Sequence, residues 1–474
     1  MRIQVKAFPY CPDTGELFAP LSGRPWSVLL DSGLPAPSRG RYDILACNPR
    51  VTLTTRGATT EIRRAGTLAV SRDDPLELLR SHMGPKHACS DGLPFCGGAI
   101  GYFAYDLGRR FERLPDTAVD SLGLPDMAVG IYDQALVVDH QARRTCLVGP
   151  AGSFEESGGL LAAAAEGRLH PQVGRFEVTG PVRSNMDAEG YGRRFRRVRN
   201  YIENGDCYQV NLARRFSVAA RGDPWTAYSL FRRLSPAPFA AYFNTPATCI
   251  LSASPERFLR VRGAQVETCP IKGTRPRDPD PARDMQLRQA LAASPKDRAE
   301  TLMIVDLLRN DLGRTCATGS VRVPSLFQVA SFSNVHHLVS RITGRLASGQ
   351  DALELLRGCF PGGSVTGAPK IRAMEIIEEL EGERRSVYCG SIGYLGFDGT
   401  LDTNILIRTM IHNGNELRFW AGGAIVFDSR CEEEAAEVEA KASAMCEVAE
   451  RFRTPSGRAP NGRGGGQLCR VRGW

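Results

Sequence analysis

Short apolar or alternating runs bounded by Gly, Pro and Asp dominate residues 1 to about 180 (WSVLL, VTLTTR, DQALVVD, RTCLVG), a pattern that predicts strands with few long helices. From Met186 the pattern changes. DAEGYGRRFRRVRNYIENGD carries apolar and aromatic residues at helical spacing and stops at Gly205-Asp206. Further helices are predicted at 296–311, 369–381 and 431–452, between strand-like runs at 389–396, 403–411 and 417–427. Several strands follow one another with no helix between them, so the expected class is mixed α+β. The boundary is placed at 181–185. It separates an N-terminal lobe (1–182) from a second lobe (183–453), followed by a Gly/Arg-rich segment (454–474) expected to be disordered. No internal repeat is visible.

Composition narrows the function classes. With 474 residues and 42% hydrophobic content the chain is globular and large enough for two lobes or one large core. No stretch approaches the roughly 20 apolar residues of a membrane helix, and MRIQVKAFPY lacks the apolar core of a signal peptide, so a cytoplasmic location and no membrane are expected. The net charge of +8 includes four arginines and no acid in 454–474. The body is therefore only mildly basic, which argues for an anionic small substrate over nucleic acid. The 14 cysteines show no C-x-x-C pair, so reduced, mostly buried thiols are expected. The run CGGAIGYFAYDLGRRFE at 96–112 lacks G-x-G-x-x-G spacing, and its glycines read as a close backbone approach.

Several residues invite chemistry, each with a bland alternative. In PIKGTRPR, Lys272 follows a short apolar approach and precedes a Gly-Thr turn; most such lysines are solvated turn residues. Glu434, Glu437 and Lys441 share one helix face by spacing, which also describes a solvated face with an i,i+4 ion pair. Glu300 opens an apolar helical run, where an acid favours the dipole, and Glu256 sits in the turn SASPERF. The loop FPGGSVTGAPK at 360–370 exposes backbone N–H groups before a helix, as an anion site does. It lacks the Gly-Lys-Ser/Thr ending of a Walker A loop, and a tight structural turn explains it equally.

PIKGTRPR, KDRAETLMIVDLLRNDLGR, NVHHLVS, FPGGSVTGAPKIRAMEIIEELE, CGSIGYLGF, ILIRTM and AGGAIVFDS occur in the order typical of the chorismate-utilising enzymes, and GDCYQVNLARRF extends the match. The chain resembles that family, and within it the branch that aminates chorismate at C4 for p-aminobenzoate and folate synthesis. The resemblance implies a large two-lobed α+β fold with stacked antiparallel sheets flanked by helices. It also implies Mg²⁺ held by Glu300 and Glu437, with Glu434 as a further acid acting through water. Gly273, Thr274, Thr366, Tyr394, Arg408, Gly422, Gly423 and Ala424 match groups that hold the substrate, and His337 matches a histidine beside its ring. Ser32, Pro238, Phe239 and Ala240 match a tryptophan pocket.

Within the family, isochorismate and salicylate synthases carry a water-activating lysine at the position of Gln209, and an amide cannot be a general base. Anthranilate synthases share the glutamine but usually have alanine at Lys272, which makes anthranilate formation the alternative reading. The resemblance implies that Lys272 attacks C2 as a neutral amine while Glu256 protonates the departing C4 hydroxyl. Ammonia then attacks C4 and expels the lysine. Burial and a nearby cation both disfavour an ammonium, as such a role requires. No cysteine lies in a glutaminase-type elbow, and Cys207 and Cys389 read as core thiols, so a separate glutamine amidotransferase subunit is the expected partner and ammonia source. Cys269, Thr301 and Ala424 depart from the common pattern. A remote alternative is a basic scaffold whose Arg/Gly tail binds nucleic acid.

Overall fold

The computed structural model describes residues 3–33, 40–84, 89, 92–150, 158–171, 174–332 and 335–454; the segment expected to be disordered lies outside them apart from Thr454. The short β-rich runs become strands of two antiparallel sheets, each of twelve strands. In the first, Ile3–Phe8, Arg144–Pro150, Ala135–Asp139, Tyr42–Ala46 and Ser27–Asp31 continue into Phe239–Asn244, Cys249–Ser254, Thr409–His412, Glu416–Ile425, Gln209–Gly222 and Phe176–Ser184. In the second, Ile271–Pro276, Val335–Arg345, Gln265–Cys269, Arg257–Arg262, Leu401–Asn404 and Ser391–Gly396 meet Gly98–Phe103 and the remaining N-terminal strands. The α+β class with stacked sheets and flanking helices is as expected.

The lobe boundary needs correction. Both sheets draw strands from either side of 182/183, and that point falls inside Phe176–Ser184, which pairs with Gln209–Gly222. The change in pattern marks the start of the helix Ala188–Glu203, whereas strand pairing runs across it. The glycines of 96–112 do permit a close approach: Gly101 stands opposite Gly393, and a Cβ on Gly101 would lie 2.2 Å from the Ala128 carbonyl oxygen. Cys89 and Cys96 are disulfide-bonded, with Cα atoms 5.5 Å apart. The expectation of reduced thiols fails at this pair because the chain folds back within bridging reach. Cys207 and Cys389 are buried and free, as expected of core thiols.

Two apolar layers position the site. Residues of both sheets, such as Ile44, Ile100, Phe258 and Trp420, form the layer between the sheets. Val210, Leu212, Phe419 and Ala421 face the other way, onto the helices Lys370–Glu381 and Cys431–Arg451 through Ile376, Val438 and Met445. The apolar run 403–411 is not one strand. Leu401–Asn404 lies in the second sheet and Thr409–His412 in the first, so residues 405–408 carry the chain between them, and Arg408 takes a φ of 50° at the crossing. Left-handed backbone is costly for a branched-out side chain and clusters at functional sites. Among the described residues no helix is long and apolar enough to cross a membrane.

Candidate active site

Lys272 lies on Ile271–Pro276, which pairs with Val335–Arg345. The Gly-Thr pair does not end the strand as its turn-like composition suggests. Instead a bulge falls between Lys272 and Thr274. Gly273 has a φ of 67°, and a Cβ on it would meet Asp297 Oδ1 at 2.9 Å, so glycine is required there. Bulges re-aim neighbouring side chains. Lys272 is half-buried, and among the described residues its amine makes no hydrogen bond or ion pair.

Acids face that amine. Glu256, 4% exposed after the strand Cys249–Ser254, interacts with Lys272; burial pushes its carboxyl up to about 7 against the opposing effects of a Ser364 hydrogen bond and the lysine charge. Glu300, on the helix Pro295–Gly313, is raised by burial and by the like charges of Glu434 and Glu437, with Lys272 and Lys296 offsetting. It too has no ion-pair partner within 4 Å among the described residues. Glu434 accepts from Ser429 Oγ at 2.7 Å and pairs with Lys296 at 3.3 Å. Glu437 pairs with Lys441 at 2.6 Å; burial raises its carboxyl, but Lys441, Lys272 and Lys296 together hold it below the usual range.

An anion-binding side lies opposite. Burial lowers the Arg408 guanidinium, Tyr388 and Glu437 act against that, and the side chain makes no hydrogen bond or ion pair among the described residues. An unpaired guanidinium held this way is a ready partner for a planar carboxylate. Beyond Phe419 the strand Glu416–Ile425 loses its pairing to Thr409–His412, because the chain turns away at Arg408, and keeps only that to Gln209–Gly222. One edge of Trp420–Ile425, including Gly422, Gly423 and Ala424, is left outside the ladder. Lys441 Nζ donates to the Gly422 carbonyl at 2.9 Å. His337 Nδ1 lies 2.9 Å from Thr274 Oγ1; burial and Arg408 push its imidazole down to about 4, so it is neutral at neutral pH.

One predicted substrate residue lies elsewhere, and the hydroxyl of a second is bonded within its own loop. Tyr394 lines a cavity of about 340 Å³ together with Ser32, Pro238, Phe239 and Ala240, which contains none of Lys272, Glu256, Glu300, Glu437 or Arg408. The tyrosine beside Arg408 is Tyr388, stacked on Trp420 at 5.9 Å; nothing in the run VYCGSIGYLG distinguishes the two. Thr366 is fully buried, and its hydroxyl donates to the Gly362 and Gly363 carbonyls. The loop 360–370 is thus a buried structural turn that sends Ser364 to Glu256. Lys296 and Ser364 were also not foreseen, although Lys296 stands one helical turn before Glu300. Of the departures, Thr301 is accommodated by donating to the Asp297 carbonyl at 2.6 Å.

Glu300, Glu434 and Glu437 are carboxylates, the ligand type that Mg²⁺ takes. As placed, no three His, Cys, Asp or Glu among the described residues stand close enough to hold an ion; Mg²⁺ sites commonly take the remaining oxygens from substrate and water.

A sequence profile described as chorismate binding enzyme matches residues 36–447. The chain belongs to the chorismate-binding enzyme family. It is 50% identical over 437 residues to aminodeoxychorismate synthase component 1 of Klebsiella aerogenes, covering 91% of this chain and 95% of the relative. It is 47% identical to the Escherichia coli (strain K12) protein of the same name, over 92% and 95%. Among solved structures, anthranilate synthase component I from Streptococcus pneumoniae superimposes with a TM-score of 0.77 at 32% identity, covering 87% of this chain and 93% of that one.

Proposed function

We propose that the chain replaces the C4 hydroxyl of chorismate with an amino group, giving 4-amino-4-deoxychorismate, as component 1 of an aminodeoxychorismate synthase whose ammonia comes from a separate glutamine amidotransferase subunit. The observation that carries this reading is an unpaired, half-buried Lys272 amine facing a Glu256 carboxyl raised to about 7. The relatives at 47–50% identity bear the corresponding name. A relative at 41% identity is an anthranilate synthase component 1, which keeps anthranilate as the competing product.

Arg408 and the free edge at 422–424 hold the substrate carboxylates, while neutral His337 packs beside the ring. Glu300 and Glu437 would hold Mg²⁺, with Glu434 reaching it through water. When bound, the ion draws charge toward a substrate carboxylate and makes the ring a better electrophile. Lys272 Nζ bonds to C2, both ring double bonds shift by one position (C1=C2 to C1=C6, C5=C6 to C4=C5), and the C4–O bond breaks as Glu256 gives its proton to the departing hydroxyl, which leaves as water. Ammonia then bonds to C4, both double bonds return to their original positions, and the C2–Nζ bond breaks. Two allylic displacements replace one difficult substitution.

Incubation with chorismate, Mg²⁺ and ammonium, followed by product identification, tests the reading. Aminodeoxychorismate is expected; anthranilate or isochorismate as the main product overturns it. Glutamine should give no product until an amidotransferase subunit is added. The cavity lined by Ser32, Pro238, Phe239 and Ala240 falls in the size range of small-molecule sites, and we assign it to tryptophan. Calorimetry should show saturable binding, with a parallel rate assay reporting regulation; no heat with tryptophan would refute the assignment.

A further inference from the structure

Asn211 is the residue whose surroundings the mechanism leaves unexplained. It stands on Gln209–Gly222 opposite Ala424, on the face directed between the sheets, since its neighbours Val210 and Leu212 pack on the helix side. Its backbone is clamped. The Asn211 N–H donates to the Thr366 carbonyl at 2.8 Å, and its carbonyl accepts from Arg385 Nη2 at 2.6 Å, a guanidinium itself buried against Glu381. The side chain therefore has a fixed place, yet Oδ1 is buried with no hydrogen-bond partner. Two residues earlier on the same face, both amide atoms of Gln209 are likewise buried and unpartnered. Oδ1 lies 2.9 Å from where a Cβ on Gly422 would be, beside the carbonyl that Lys441 grips.

A buried amide oxygen without a donor costs stability, and such groups persist where a ligand supplies the missing bond. The atom left over is an acceptor. It cannot pair with a carboxylate, so the anionic groups of chorismate, which Arg408 and the strand edge suit, do not satisfy it. Among the reactants, ammonia carries three N–H donors, while the substrate offers only the C4 hydroxyl that departs. We infer that Asn211 Oδ1 accepts a hydrogen bond from the incoming ammonia and holds its nitrogen lone pair toward C4. Asn211 is thereby a specificity residue for the nucleophile. This rests on the amination reading above.

The test compares steady-state kinetics of wild type, Asn211→Leu and Asn211→Ala with ammonium and chorismate varied separately. Leucine is close in shape and removes an unsatisfied polar group, so its Tm should be equal to or above that of wild type. The KM for ammonium is expected to rise about 3- to 10-fold in both variants, the effect of one neutral hydrogen bond, with the chorismate KM within about twofold of wild type. An unchanged ammonium KM, or a rise confined to chorismate that would place Asn211 on the C4 hydroxyl, overturns the inference. Equal rises in both KM values with a fallen Tm would show a packing role and overturn it as well. Wild type making no aminodeoxychorismate at all would instead defeat the amination reading, so the two failures are distinct.

Discussion

Lys272→Ala should lose aminodeoxychorismate formation, with kcat down by about 10³-fold or more and the KM for chorismate little changed. The asymmetry follows from the site. Arg408, the strand edge at 422–424 and the glutamates remain in place, so binding survives while the covalent step does not. Lys272→Arg separates nucleophile from charge: it keeps a cation opposite Glu256, Glu300 and Glu437, but a guanidinium does not deprotonate in a protein. It should be as inactive as the alanine variant. Incubating wild type with chorismate but no ammonia, then denaturing, should reveal protein heavier by chorismate less water. Aminodeoxychorismate at the wild-type rate from either variant would sink the nucleophile role.

What could be read without coordinates, and what could not, divides by the range of the interaction. Glu434, Glu437 and Lys441 share a face because helical spacing is local, and the Glu437–Lys441 pair forms as that spacing requires. The glycines of 96–112 point to a close approach through their small size alone, although the partner strand that carries Gly393 does not follow from that run. The run 403–411 misled because a continuous apolar stretch looks like one strand, whereas its halves join different sheets and the turn between them places Arg408. The same nonlocality exchanged Tyr394 for Tyr388: both are buried, and only the stacking of the sheets decides which one meets the guanidinium. The disulfide at Cys89 and Cys96 and the unpartnered amide of Asn211 are likewise tertiary facts. Such features depend on what the chain brings near a residue from far along the sequence, and no window of neighbours contains them.

Glu256→Gln carries the second large effect, through a proton. The carboxyl must be protonated to act on the leaving hydroxyl, and burial raises it to about 7 in the folded protein. Wild-type kcat should therefore fall toward tenfold per pH unit above that value. The glutamine variant cannot donate an acidic proton, so kcat should drop by about 10²–10⁴-fold and lose this alkaline limb. The same raised value has a stability consequence. A carboxyl that titrates higher folded than unfolded destabilises the native state as pH rises from its ordinary range through about 7, because the buried anion is disfavoured. Glutamine escapes that penalty, so Glu256→Gln should melt above wild type at pH 8 and approach it at pH 5. Parallel thermal melts and kcat profiles across that range check both; a glutamine variant that keeps the wild-type rate and its pH dependence would remove Glu256 from the chemistry.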